Sequence, residues 1–196
     1  MTIEELLVLL DTQTESEFVE RQLLSRRPWI FEADDAYHAW RSSVAATLRI
    51  GPDNIRIVGS AATGYSLSPL KPGRPFRKAS TLDASSSDID IAFVDPTLFA
   101  AAWDTIVLFD RTYRLGGAYE TRSKIRIDIY WGLVGQQSLP RNTEPARMLL
   151  TAMSVAGRLP PLRGYRIRSR VYRRLDDLRA YHTTSLRQLR ALLANA

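Results

Sequence analysis

Two aspartates, Asp88 and Asp90, flank Ile89 at the start of an apolar segment that runs to Val94. The segment predicts a β-strand, in which residues i and i+2 point to the same side. Two carboxylates on one side repel each other unless a cation lies between them, and paired carboxylate oxygens suit Mg²⁺. The motif therefore predicts a magnesium site. Because it is short, two surface aspartates at the end of a loop are the alternative interpretation.

A second feature is the apolar segment of residues 55–58, which ends at Gly59 and Ser60. It predicts a strand that enters a turn and then a short helix. Such a turn exposes backbone N–H groups, and glycine lets a phosphate approach closely, so the turn predicts an anion site. An ordinary strand-to-helix turn, with Ser60 capping the helix, is the alternative.

A third acid, Asp128, lies within residues 124–131, where isoleucines alternate with polar residues over positions 125–130. This alternation predicts a third strand. A lone acid in such a strand costs free energy unless it is paired or exposed at the sheet edge. If the third strand lies beside the second, Asp128 completes a triad with the aspartate pair. A salt bridge with Arg122 or Arg126 is the alternative.

In chain order, the glycine–serine turn, the Asp-x-Asp motif and the later acid resemble the nucleotidyltransferase superfamily typified by DNA polymerase beta. The resemblance implies that Gly59 and Ser60 hold the phosphates of a nucleotide. It implies that Asp88 and Asp90 bind two Mg²⁺ ions. It also implies that Asp128 contacts one of these ions and helps to activate the acceptor hydroxyl, so that the three acids are the catalytic and metal-binding residues.

The segment between the glycine–serine turn and the aspartate pair is longer than the spacer of that family. It contains a polar loop over residues 66–87, and a loop of this length beside a site is more often functional or mobile than inert. Arg74 and Lys78, with Arg77 between them, are placed to bind a triphosphate or a polynucleotide. A solvated loop without a ligand is the alternative.

The composition of the 196-residue chain excludes several kinds of site. With no cysteine and two histidines, the chain has no disulfide scaffold, no thiolate zinc site and no cysteine nucleophile, and a site of several histidines is not expected. The N-terminus is acidic where a signal peptide is basic, and no segment approaches the roughly 20 apolar residues that span a bilayer. We therefore expect a cytoplasmic protein with no membrane partner.

The net charge of +6 is concentrated near the C-terminus, where ten arginines and only two acids follow Gly157. Two basic helical stretches are predicted in this segment, residues 158–196. Arginines interleaved with tyrosines over residues 165–174 suit nucleic acid, with guanidinium groups on phosphates and rings on bases. Amphipathic helices packed on the core, with their arginines in solvent, are the alternative.

The predicted elements run as helices, then a small sheet with a crossover helix, then helices, which is typical of an α+β fold. Together with the resemblance, this order predicts a small mixed β-sheet nucleotidyltransferase core flanked by N-terminal and C-terminal helices. Residues 1–157 form the core with its N-terminal helices, and residues 158–196 form a helical extension packed on it within one domain. The predicted helices include residues 34–48, 98–109 and 144–156, and one that begins with a capping box at Thr14 and Glu17.

These features together predict a Mg²⁺-dependent nucleotidyltransferase. It would move a nucleoside monophosphate from an NTP such as ATP to a hydroxyl of a nucleotide, RNA or protein acceptor, because charge neutralisation and positioning carry such a transfer. The alternative is a non-catalytic nucleotidyltransferase-fold binding module, acting as an antitoxin-like or defence-system partner of another protein.

Overall fold

The computed structural model describes residues 2–78, 86–113 and 119–195, apart from the side chains of residues 112–113 and 119–122. The elements within these ranges are α1 (Ile3–Thr12), α2 (Glu15–Phe18) with a π-helical turn (Val19–Leu24), α3 (Asp34–Leu48), β1 (Ile55–Val58), α4 (Ser60–Thr63), β2 (Ile89–Val94), α5 (Pro96–Tyr113), α6 (Tyr119–Tyr130), β3 (Leu133–Gly135), α7 (Glu144–Arg158), β4 (Ile167–Tyr172) and α8 (Leu175–Leu193). Short 3₁₀ turns precede β1 and follow β3. In the described part of the chain, no helix combines the length and the apolarity that crossing a bilayer requires.

The four strands form one small mixed sheet in the order β1-β2-β4-β3. β1 runs antiparallel to β2, with Val58 opposite Asp90. β2 runs parallel to β4, with Asp90 opposite Arg168. β3 closes the other edge antiparallel to β4. Helices flank this sheet, so the expected α+β class with a small mixed sheet is confirmed.

One face of the sheet is apolar and carries the core. Ile57 pairs with Ile91 and Ile91 with Ser169, and all three are buried on this face. The hydroxyl of Ser169 donates to Sδ of Met153 in α7 at 3.2 Å, so α7 covers β4 here. α3 packs beside α7, where the indole of Trp40 donates to a backbone carbonyl of α7 at 3.3 Å.

The opposite face carries charged side chains and is covered by α8. The guanidinium carbon of Arg170 in β4 lies 5.4 Å from the ring centre of Tyr181 in α8. Because alternate residues of a strand share a face, Asp90 and Arg168 lie on this side as well. The polar face of the sheet thus borders the space under α8.

Most of the predicted local elements are confirmed. The capping box is present, since the Thr14 hydroxyl accepts from the backbone N–H of Glu17 while the Glu17 carboxylate accepts from that of Thr14. α3 spans the predicted residues 34–48. The two strands that flank the glycine–serine turn and the aspartate pair, the crossover helix and the helix from residue 144 also form as expected.

The predicted strand over residues 125–130 is wrong, because these residues belong to helix α6. Ile125 and Ile129 are four residues apart and therefore share one face of a helix as well as one face of a strand. Ile125 is buried and Ile129 packs against the core, whereas Ile127 between them is 59% exposed. The alternating isoleucines satisfy a helical period that buries two of the three.

The prediction that the first of the two basic stretches is helical is also wrong, because residues 167–172 form strand β4. Ser169 and Val171 are buried on the core face while Arg168 and Arg170 point the other way. The C-terminal segment thus contributes an inner strand to the sheet, between β2 and β3, followed by the single long helix α8.

Two isoleucine truncations test this assignment. Ile91→Ala removes a fully buried side chain of β2 and is expected to lower the free energy of unfolding by about 2–5 kcal/mol. Ile127→Ala makes the same change at an exposed position of α6 and is expected to alter it by no more than about 0.5 kcal/mol. Urea denaturation measures both. Losses of equal size would show that Ile127 is buried, as the strand interpretation required.

Candidate functional site

A cleft of about 480 Å³ opens at the N-terminal end of β2, where the glycine–serine turn, the aspartate pair and β4 meet. The cleft contains more cationic than anionic side chains. The charged residues that line it are Lys71, Arg74, Arg77, Asp88, Asp90, Arg166, Arg168 and Arg170. The structure therefore brings together five of the seven predicted site residues, namely Gly59, Ser60, Arg74, Asp88 and Asp90.

Gly59 joins β1 to α4 in a backbone conformation that favours glycine, with φ +69° and ψ −151°. A Cβ atom at this position would lie 3.3 Å from Oδ2 of Asp90, so the turn and the acid are in close approach. α4 that follows is a single turn of four residues. A helix this short adds little dipole, so the positive potential of the cleft comes chiefly from side chains.

Asp88 forms ion pairs with two arginines of the β4 segment. Its Oδ1 accepts from Nε of Arg166 at 2.5 Å, and its Oδ2 accepts from Nη2 of Arg166 at 2.8 Å. Nε of Arg168 lies 2.8 Å from the same Oδ2. The hydrogen bonds from Arg166 hold the pKa of the Asp88 carboxyl below its ordinary value. Asp88 is therefore ionised at neutral pH, and its negative charge is already balanced by the two arginines.

Asp90 is in a different state although it lines the same cleft. It forms no hydrogen bond or ion pair with any side chain in the described ranges. Burial raises the pKa of its carboxyl, while the charges of Arg170 and Arg168 oppose that rise. One carboxylate of the motif is thus paired, and the other is partly buried and open to a ligand.

Three arginines of the β4 segment, Arg166, Arg168 and Arg170, line the cleft because alternate residues of a strand share a face. They were not among the predicted site residues, because this segment was expected to be helical. The signal was present: the arginines alternate with Ile167 and Ser169, a period of two that predicts a strand.

The loop after α4 contributes further cations. It folds back on itself through backbone hydrogen bonds, from Ser66 N–H to the Arg74 carbonyl at 2.8 Å and from Gly73 N–H to the Ser66 carbonyl at 3.0 Å. This fold places Arg74 in the cleft as predicted. Lys78 lies outside the cleft, with its Nζ 5.8 Å from the ring centre of Trp29. Residues 79–85 of the predicted loop lie outside the described residues.

Asp128 does not join the aspartate pair. It lies on α6 and lines a narrow apolar pocket with Ile106, Ile125 and Val134. Burial raises the pKa of its carboxyl, against the charges of Lys124 and Arg170. The physical reason is the helix: α6 precedes β3, and β4 takes the place beside β2 that the third strand was expected to fill.

The alternative for Asp128, a salt bridge with a neighbouring arginine, has no support in the described residues. No ion pair joins it to Arg126, and the side chain of Arg122 lies outside the described part of the structure.

The residues present do not fit the two Mg²⁺ ions that the resemblance implied. Both oxygens of Asp88 already accept from arginine, and Asp128 is absent from the cleft. Within the described ranges, no group of three histidine, cysteine or acidic side chains is arranged to hold a metal ion. Mg²⁺ prefers carboxylate and water oxygens, whereas the charges that act on Asp90 include those of Arg168 and Arg170, which would repel a metal ion.

α8 supplies the inner wall of the cleft through Tyr181, His182 and Ser185. Nε2 of His182 is shielded from solvent and has no hydrogen-bond partner. Burial, together with the charge of Arg170, lowers the pKa of His182 to about 3. The imidazole is therefore neutral at physiological pH and adds no charge to the cleft.

Comparison with known proteins identifies no relative: no protein-family model, no curated protein and no solved structure matches the chain. The geometry of the cleft is therefore the basis for a functional assignment.

Gly59→Ala tests the backbone conformation of the turn between β1 and α4. The backbone of Gly59 is unfavourable for alanine, so the free energy of unfolding is expected to fall by on the order of 1–3 kcal/mol. Gly51→Ala is the matched control, since Gly51 has φ −67° and a Cβ atom there would lie 4.0 Å from Nδ2 of Asn54, an ordinary contact. Its stability is expected to stay level or rise slightly. Equal effects of the two variants in urea denaturation would contradict the strained turn.

His182→Gln tests the burial of the imidazole. An unfolded histidine binds a proton below about pH 6.5 while folded His182 stays neutral down to about pH 3, so its contribution to stability falls as pH drops through this window. Between pH 7 and pH 5 the wild-type chain is expected to lose about 1–2 kcal/mol that His182→Gln does not lose. His38→Gln removes the other histidine and should keep the wild-type loss. The same pH dependence in all three chains, measured by urea denaturation, would contradict the burial.

Proposed function

We propose that the chain is a binding module whose cleft holds a phosphorylated nucleotide, with a nucleoside triphosphate as its simplest ligand. The observation that carries the proposal is the set of three arginines, Arg166 just before β4 and Arg168 and Arg170 within it, that line the cleft with the aspartate pair. Arginine presents a planar fork of donors that matches phosphate oxygens, and it keeps its charge at any physiological pH.

The size and the walls of the cleft support a small anion. A volume of about 480 Å³ lies in the range of small-molecule sites. Lys71, Arg74 and Arg77 come from the loop after α4 and three further arginines from the β4 segment, so a chain of phosphates would meet cations from two parts of the chain. Gly59 leaves room for close approach at the end of β1.

Binding is better supported than transfer. The transfer mechanism that the resemblance implied needs several carboxylates around metal ions. Here Asp88 is held by Arg166 and Arg168, and Asp128 lies elsewhere on α6. Nucleotidyl transfer remains the second candidate for one reason: Asp90 lies beside Gly59 and has no ion-pair partner among the described residues.

Arg168→Ala tests the proposal by equilibrium dialysis with radiolabelled ATP. Loss of a charged contact to phosphate, about 1.5–3 kcal/mol, is expected to weaken binding by about tenfold to a hundredfold. Arg174→Ala is the matched control, because Arg174 is exposed and does not line the cleft. Its affinity is expected to equal that of the wild type.

Two results would decide against the binding module. Equal affinity of Arg168→Ala and wild type would show that ATP does not use this cleft. Transfer of an α-phosphate label to the chain, to RNA or to a nucleotide, abolished by Asp90→Ala, would favour the nucleotidyltransferase instead.

A further inference from the structure

We infer that the cleft binds its triphosphate without a divalent metal, and that Asp88 is an internal counter-anion which the ligand displaces from Arg166 and Arg168. This inference rests on the proposed nucleotide site. It reverses the role of Asp88, from a ligand of a metal ion to a competitor of the nucleotide.

The charge of the cleft fits a triphosphate that carries no metal. Among the described residues, six cationic side chains and two carboxylates line it, a formal excess of four positive charges. An unchelated triphosphate has one terminal phosphate and two inner ones, which together carry about four negative charges at neutral pH. Chelation by one Mg²⁺ ion would halve that charge and would place a dication among guanidinium groups that repel it.

Two arginine side chains already supply positive charge near Asp90. Arg168 lies opposite Asp90 in the parallel register and Arg170 lies opposite Ala92. The charges of both arginines act on the Asp90 carboxylate. Guanidinium groups on this strand therefore offset part of the cost of burying the Asp90 carboxylate, which a bound metal ion would otherwise offset.

The contacts of Asp88 resemble those of a phosphate. Arg166 donates from both Nε and Nη2 to the two carboxylate oxygens, the two-pronged geometry that arginine uses for phosphate as well. Arg168 adds a third contact at 2.8 Å.

These contacts lie near solvent and are replaceable. The side chain of Arg166 is 69% exposed, and ion pairs at such positions are weak. A ligand with more negative charge than one carboxylate can therefore take over both arginines. Before the ligand binds, Asp88 holds Arg166 and Arg168 in place.

Asp88→Asn separates the two roles of this acid by the sign of its effect. If Asp88 competes with the ligand, its neutralisation is expected to tighten ATP binding about threefold to tenfold in buffer with EDTA. If Asp88 binds a metal ion for the nucleotide, the same change weakens binding in excess Mg²⁺. Asp176→Asn is the matched control, because Asp176 pairs with Arg179 outside the cleft and its affinity is expected to stay unchanged.

Isothermal titration of the wild type with ATP in EDTA and in excess Mg²⁺ completes the test. Affinity in EDTA equal to or above that in Mg²⁺ is expected, and inorganic tripolyphosphate is expected to compete in EDTA. Binding that requires Mg²⁺ would overturn this inference and leave the nucleotide site standing. Binding in neither buffer would overturn the nucleotide site itself. Asp88→Ala, checked for folding by thermal unfolding, repeats the sign test should Asp88→Asn fold poorly.

Discussion

The parallel pairing of β2 with β4 is the interaction on which the rest of this structure depends. β2 alone would present two carboxylates on one side of the sheet with nothing to offset their repulsion. β4 brings its arginines into register with them, and the backbone N–H of Ile89 donates to the Arg166 carbonyl at 2.9 Å at the start of the pair. The sheet's own hydrogen bonds thus hold long, flexible arginine side chains near their partners.

The same pairing makes the two aspartates unequal. Asp88, at the solvent end, meets two guanidinium groups that lower the pKa of its carboxyl. Asp90 lies one pleat deeper, where burial dominates and raises the pKa of its carboxyl. Ion pairing and desolvation act in opposite directions on a carboxylate, so two acids in one short motif reach different states through their depth alone. Two acids that are close in the sequence can therefore differ in the pKa of their carboxyls.

Local patterns predicted those parts of the fold that neighbouring residues determine. The capping box at Thr14 and the glycine turn at Gly59 are local, and both form as expected. The two errors concern segments whose residues satisfy two periods. The isoleucines of residues 125–129 fit a strand and also an i, i+4 helix stripe, and tertiary packing chose the helix.

In the arginine-rich segment the error ran the other way, because a helix was predicted and strand β4 forms. The alternation of its arginines was present in the sequence, but the leucines at positions 175, 178, 186, 189 and 192 have helical spacing and suggested helices throughout the C-terminal segment. Half of the site was therefore predictable, namely the turn, the aspartate pair and Arg74. The half contributed by Arg166, Arg168 and Arg170 was not, because no local pattern states which distant strand will pair with β2.

The late position of β4 in the chain has a consequence for synthesis. Asp88 and Arg166 are 78 positions apart. A ribosome releases β1 and β2 well before β4, so β2 keeps one open edge during this interval. Open edges invite pairing with other chains, and charged side chains are a common means of discouraging it. We expect the two aspartates to serve the nascent chain in this way, as negative charges on an unfinished sheet, before the arginines arrive to neutralise them.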